Sequence, residues 1–130
     1  MSASLRSLNV PGAGHNAPIP LGARVGPLIC SSGISGKDPA TGQLPADAAT
    51  QVHLAFANMD ALLAAGGATL AHVAKLHITV NDNAVRDAIN AEWLTRFPDP
   101  QDRPARHIVQ HALQHGMALQ IEVTAFVTEA

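Results

Sequence analysis

The segment from Leu119 to Val127 constrains the fold more than any other, because its side chains alternate cleanly up to Ala125. Leu119, Ile121, Val123, Ala125 and Val127 fall on one face, and Gln120, Glu122 and Thr124 on the other. A strand covered on one side only needs that pattern. Glu122 is therefore a carboxylate in the middle of an otherwise apolar strand. Upstream, Arg103 to Val109 reads as a second strand opened by Pro104. His115-Gly116 reads as the turn joining the two into a hairpin, with Gly supplying a positive φ. Arg106 stands near the start of that first hairpin strand. An arginine and a glutamate on rigid strands are the first candidates for chemistry.

The rest of the chain supplies a compact set of elements. Ser4 to Val10 reads as a short strand and Pro11 to Asn16 as a loop. Pro18 and Pro20 make any strand between Ala17 and Val25 an edge or a late starter. Pro27 to Ser32 is a better strand, ending at Gly33, and Lys37 to Gly42 is a turn. Asp47 caps a long helix whose stripe is Val52, Ala55, Phe56, Met59, Leu62 and Leu63, stopped by Gly66-Gly67. His72 to Val80 alternates, with Ala74, Leu76, Ile78 and Val80 set against Val73, Lys75, His77 and Thr79. Asn81-Asp82 caps a second helix with the stripe Val85, Ile89, Trp93 and Phe97, ended at Pro98. One strand–helix–strand crossover within this order predicts an α+β domain spanning residues 1–130. Its mixed sheet carries both helices on one face. The face bearing Lys75, His77, Thr79, Gln120, Glu122 and Thr124 has no helix to cover it.

Composition narrows the function classes. Charged residues are 14 % of the 130, against roughly 25 % for an average soluble domain. That depletion points to surface buried between subunits; the alternative is an alanine-rich monomer. A net charge of −2 and 3 % aromatics offer neither an electrostatic footprint nor stacking platforms for nucleic acid. Cys30 is the only cysteine, so no intrachain disulfide exists, and a small buried thiol is expected. No apolar run approaches membrane-spanning length and no hydrophobic signal core stands in Met1–Asn9, which makes the cytoplasm the default compartment.

Seven histidines invite a metal, but the pattern does not build one. His107, His111 and His115 are spaced by four, which along a strand is roughly 13 Å, too far for one ion. No metal site is expected. Gly33, Gly36 and Gly42 lack the Lys-Ser/Thr of a phosphate loop.

Taken together, the motifs resemble one family. Ser31-Ser32-Gly33, Asp38-Pro39-Ala40-Thr41-Gly42, Gln51 with Asn58, Ala64-Ala65-Gly66, Val73-Ala74-Lys75, Asn90, Pro104-Ala105-Arg106 and Ile121-Glu122-Val123 fall in the order and spacing of the RidA/YjgF/UK114 family. The resemblance runs from about Pro18 to Val127. It implies a chorismate-mutase-like α+β fold, a homotrimer with a central β-barrel, and sites in the clefts between subunits. It also implies hydrolytic deamination of reactive 2-enamine and 2-imine carboxylates, such as 2-aminoacrylate, to a keto acid and ammonia, with no cofactor.

By position, the resemblance makes Arg106 the arginine that grips the substrate carboxylate and Glu122 the glutamate that holds or activates water. Ser32, Gly33, Asn90 and the backbone N–H of Ile108 become pocket positions. Family deaminases usually carry a tyrosine where this chain has Ile19, and this chain has no tyrosine at all. His15, on the preceding loop, is the candidate to stand in for it. The residue-level alternatives are plainer: Arg106 in an edge salt bridge, Glu122 paired with Arg106 or Lys75, Asn90 on a helix surface, Ser32 as a satisfied hydroxyl. At the level of function, the alternatives are a non-catalytic trimer binding small carboxylates or partner proteins, and an endoribonuclease or translation inhibitor.

Overall fold

The computed structural model describes residues 5–128. Six strands and two long helices follow one another as β1 (Ser7–Leu8), β2 (Gly22–Val25), β3 (Leu28–Ser31), α1 (Ala48–Ala65), β4 (Val73–Val80), α2 (Arg86–Arg96), β5 (Ala105–Gln110) and β6 (Leu119–Phe126). The strands form one mixed sheet in the order β1-β2-β3-β6-β4-β5, in which only β4 and β5 run parallel. Of the expected first strand from Ser4 to Val10, only Ser7–Leu8 pairs, and Ser4 lies outside the described residues.

α1 begins and ends on the expected signals, whereas α2 starts from Val85 with no side-chain cap of its own. Asp47 accepts from the Thr50 N–H at 2.9 Å and from its hydroxyl at 2.6 Å, capping α1. Gly67, at φ 78°, closes α1, with the Ala68 N–H donating to Leu63 O at 2.8 Å. The stripe from Val52 to Leu63 is wholly buried. Asp82 caps a 3₁₀ turn, Asn83–Val85, that runs directly into α2. Val85, Ile89, Trp93 and Phe97 then face the core. On the sheet, Leu76, Ile78, Val80, Leu119, Ile121, Val123 and Ala125 meet the helices. The face with His77, Glu122 and Thr124 stays open, and Val25, Leu28 and Phe126 add exposed apolar surface to the molecule.

Three expectations are corrected. β5 and β6 are not a hairpin: β4 lies between them, pairing parallel with β5 and antiparallel with β6. The connecting segment wraps the end of β4, tied by His111 N–H to Val80 O, Asn81 N–H to Ala118 O and Leu113 N–H to Asn81 Oδ1, each 3.0 Å. His115 (φ 63°) and Gly116 (φ 80°) do make a turn, but inside that longer connection. The β4 stripe is Val73, Leu76, Ile78 and Val80, because the register shifts between Val73 and Lys75 and leaves Ala74 exposed. Cys30 is exposed, since strand parity gives the core position to its neighbour Ile29.

Two buried polar side chains fix the loops onto α1. The Gln51 amide donates to Pro45 O (2.8 Å) and Gly116 O (3.1 Å) and accepts from Ala118 N–H (2.7 Å). The Asn58 amide donates to Ser35 O (3.0 Å) and Lys37 O (2.9 Å). Each satisfies backbone groups that would otherwise be buried unpaired.

Candidate functional site

β5 is the last strand of the sheet, so one of its edges is free among the described residues. The His111 N–H donates to Val80 O, and donors alternate along a strand. The N–H groups of Arg106, Ile108 and Gln110 therefore point outward from that edge. Arg106 is in register with Leu76, which places its side chain on the helix-covered face of the sheet.

There the Arg106 guanidinium lies over the indole of Trp93, with Cζ 4.9 Å from the ring centroid. Its Nη1 is buried and has no hydrogen-bond partner. Arg106 forms no salt bridge among the described residues, which sets aside the edge-pair alternative. Arg96, on the same helix as Trp93, is the contrast. Asp60 holds it at 2.8 Å and Glu92 at 2.9 Å, and together they outweigh burial and raise its pKa above the ordinary value. Burial, and then the charge of Arg86, push the Arg106 pKa below the ordinary value. An unpaired, partly dehydrated guanidinium presents a fork of donors whose geometry matches a planar anion.

α2 supplies the other wall. Arg86, Asn90 and Trp93 are spaced i, i+4, i+7 and share a helix face. Asn90 is exposed on that face, and Ile108, half-buried, follows Arg106 on the same side of β5. Arg106 meets α2 at Trp93, and Asn90 and Ile108 lie on the same side of their own elements as that contact.

Glu122 is elsewhere. Its register partner is His77, on the open face, and its side chain is 57 % exposed. The His77 Nδ1 lies 3.5 Å from Glu122 Oε2, without the alignment of a hydrogen bond. His107, next in the row, meets the His77 ring edge-on with centroids 5.5 Å apart. Glu122, His77 and His107 thus form one lateral row across β6, β4 and β5. Arg106 and Glu122 project from opposite faces of the sheet, so a single chain does not bring them together. Glu122 pairs with neither Arg106 nor Lys75; its near neighbour is His77.

Ser32 and Gly33 sit where β3 leaves β6. The ladder pairs Cys30 with Thr124, then breaks, and resumes as a bridge between Ile34 and Ile121. In the gap the Ser31 hydroxyl accepts from Val123 N–H at 2.8 Å. The Ser32 hydroxyl donates to Pro20 O at 2.9 Å, so its proton is already used. A Cβ on Gly33 would stand 3.0 Å from the Gln120 amide. Ile19 is 48 % exposed. His15 lines a separate cleft of about 430 Å³ with Ser35, Lys37, Gln114, His115 and Gln120, and its Nε2 is buried without a partner. Lys37 Nζ donates to Gly14 O at 2.7 Å on the rim of that cleft.

Sequence reasoning missed Trp93, Arg86 and His77 as neighbours of the candidate residues. Helical spacing from Asn90 signals the first two. His77 becomes visible only once the register of β4 on β6 is known.

Similarity to known proteins agrees with this architecture. The family model for Endoribonuclease L-PSP matches residues 19–127. The 2-iminobutanoate/2-iminopropanoate deaminase of Escherichia coli is 30 % identical over 127 residues, covering 96 % of this chain and 98 % of that protein. A RutC family protein of Haemophilus influenzae is 33 % identical over 119 residues, covering 85 % and 92 %. Among solved structures, E. coli TdcF with bound serine superimposes with a TM-score of 0.85 at 28 % identity, covering 95 % of this chain and 100 % of that one. With nearly its whole length matched in sequence and in fold, the chain belongs to the Endoribonuclease L-PSP family, the group that includes RidA and YjgF.

Proposed function

We propose that this protein hydrolyses small 2-imino and 2-enamino carboxylates to keto acid and ammonia, in clefts between copies of the chain in a homotrimer. The observation that carries the reading is the Arg106 guanidinium, poised over Trp93 with a buried nitrogen lacking any partner. A buried donor left unpaired costs about 1–3 kcal/mol, which a bound carboxylate would recover. The names of the E. coli relatives, an imine deaminase and a reactive intermediate deaminase at about 30 % identity, support the same chemistry.

Arg106 anchors the substrate carboxylate, helped by the outward N–H of Ile108 and by Asn90. Glu122 takes a proton from water as the oxygen adds to C2, while the imine nitrogen is protonated. Glu122 passes that proton to the nitrogen of the resulting carbinolamine; the C2–N bond then breaks, ammonia leaves, and the hydroxyl gives its proton to Glu122 as the C2–O bond becomes the keto carbonyl. Ordering the water beside an already electrophilic carbon supplies most of the acceleration. Because Arg106 and Glu122 face opposite sides of one sheet, the reading requires Arg106 of one copy to meet Glu122 of another. The uncovered sheet face and the exposed Leu28 and Phe126 give those copies surface to bury. Ser32, Gly33 and Ile19 line the Glu122 side in this arrangement, and His15 reaches it from its own cleft by way of Gln120.

The test is ammonia or keto-acid release from imines generated in place by an amino-acid oxidase. Turnover by the wild type that disappears in Arg106→Ala is expected; equal rates in the two would refute the reading. A second reading, a non-catalytic carboxylate-binding trimer, is favoured by the exposed Ile19 at the position of the family tyrosine. It predicts Arg106-dependent binding of keto acids by calorimetry with no turnover. Ribonuclease action is the weaker alternative, given the net charge of −2 and the scarcity of aromatic residues.

A further inference from the structure

The junction of α2 with β5 holds a second guanidinium that the deaminase reading does not use. Arg86 opens α2, one helical turn before Asn90 and two before Trp93, on the face turned to the sheet edge. Its Nε donates to Asn83 Oδ1 at 2.9 Å, and Asn83 Nδ2 donates in turn to Gln110 Oε1 at 2.8 Å. Gln110 is the third side chain, after Arg106 and Ile108, on that side of β5. Asn83 thus fastens Arg86 to the strand that carries Arg106.

The fastening uses only Nε. The terminal nitrogens of Arg86 have no partner among the described residues, and no carboxylate forms a salt bridge with Arg86 or Arg106. Two cations therefore stand on elements joined through Asn83 and Gln110, and the charge of Arg86 adds to burial in lowering the Arg106 pKa. Like charges held together with no acid between them are unfavourable in the empty protein, and an anion spanning both would relieve that. A single carboxylate on Arg106 leaves Arg86 uncompensated.

We infer that this pair of arginines selects ligands with two acidic groups, the 2-carboxylate resting on Arg106 and a second carboxylate on Arg86. The preferred substrate class is then the 2-imino dicarboxylate, formed where an oxidase or dehydrogenase removes two electrons from the Cα–N bond of an acidic amino acid, with the 2-oxo dicarboxylate as hydrolysis product. This deepens, and rests on, the assignment of Arg106 as carboxylate anchor.

Calorimetry with 2-oxoglutarate and 2-oxobutanoate tests it on the full chain. The wild type should bind the dicarboxylate about tenfold more tightly, the worth of one additional charge-assisted contact. Arg86→Gln should abolish that preference by weakening 2-oxoglutarate binding about tenfold more than 2-oxobutanoate binding, and Arg86→Lys should retain part of it. Raising the salt concentration should erode the preference. Equal affinities in the wild type, or a preference that survives Arg86→Gln, would overturn the inference and leave the anchor standing. Arg106→Gln binding both acids as well as the wild type would remove the anchor itself, and the inference with it.

Discussion

The Trp93 indole forms a floor for the Arg106 guanidinium, 4.9 Å from ring centroid to Cζ. A cation held this way keeps its planar donors directed outward, and the contact is worth about 0.5–2 kcal/mol. Replacing Trp93 with Leu should raise KM for an imino acid by about three- to thirtyfold, with kcat changed less. Steady-state kinetics in a coupled oxidase assay measures both parameters. A change confined to kcat would mean that Trp93 does not act through the anchor.

Arg106→Lys keeps the charge and loses the fork. A point charge cannot reproduce bidentate geometry, so keto-acid affinity should fall by about tenfold or more, with the fold retained. Calorimetry, with circular dichroism as the folding control, decides it.

The separation of Arg106 and Glu122 makes a stronger prediction. Arg106→Ala and Glu122→Ala proteins should each be inactive as pure oligomers. Unfolded together and refolded as a mixture, they should recover roughly a quarter of wild-type activity, because random assembly restores some intact clefts. No recovery, in mixtures shown by mass spectrometry to be mixed oligomers, would place the two residues outside any shared site.

Stability should follow the α1 stripe. Phe56 is fully buried beneath the sheet, and Phe56→Ala should cost about 3–5 kcal/mol in urea unfolding. Asn58→Leu should also be destabilising, because it strands the carbonyls of Ser35 and Lys37, each worth about 1–3 kcal/mol when buried and unpaired.

Acid should weaken the start of α1. The hydrogen bonds from Thr50 hold the Asp47 pKa below the ordinary aspartate value. A carboxylate depressed in the folded state stabilises above its unfolded pKa, and that stability is lost as pH falls through the folded value. The wild type should therefore lose stability relative to Asp47→Ser as the pH drops below the ordinary aspartate range. Paired unfolding curves across that range provide the check.

Much of this molecule was legible one element at a time. Asp47, Asp82 and Gly67 act as helix boundaries, and β6 alternates as its sequence demands, because these are local effects of backbone and side-chain geometry. What escaped depends on partners distant in sequence. The His115-Gly116 turn is real, yet turn chemistry does not specify which strand lies alongside, and β4 out-competes the hairpin by offering an apolar row to both neighbours. One shifted residue at Ala74 reverses the facing of Val73, and alternation read from sequence has no means of detecting a bulge. Gln51 and Asn58 lie beside an apolar stripe yet are buried, since their amides serve carbonyls on loops that the helix pattern does not reveal. The roles of the candidate residues came from resemblance; their assignment to opposite faces required the register.

The place of β4 between β5 and β6 also bears on how the chain acquires its shape. With no self-contained hairpin at its C-terminal end, that region has no short-range contact to nucleate on. Both strands must wait for a partner contributed from before α2, so their pairing has high contact order and should form late in refolding. Until then the alternating β6 segment stands exposed, and that interval is when self-association competes with assembly.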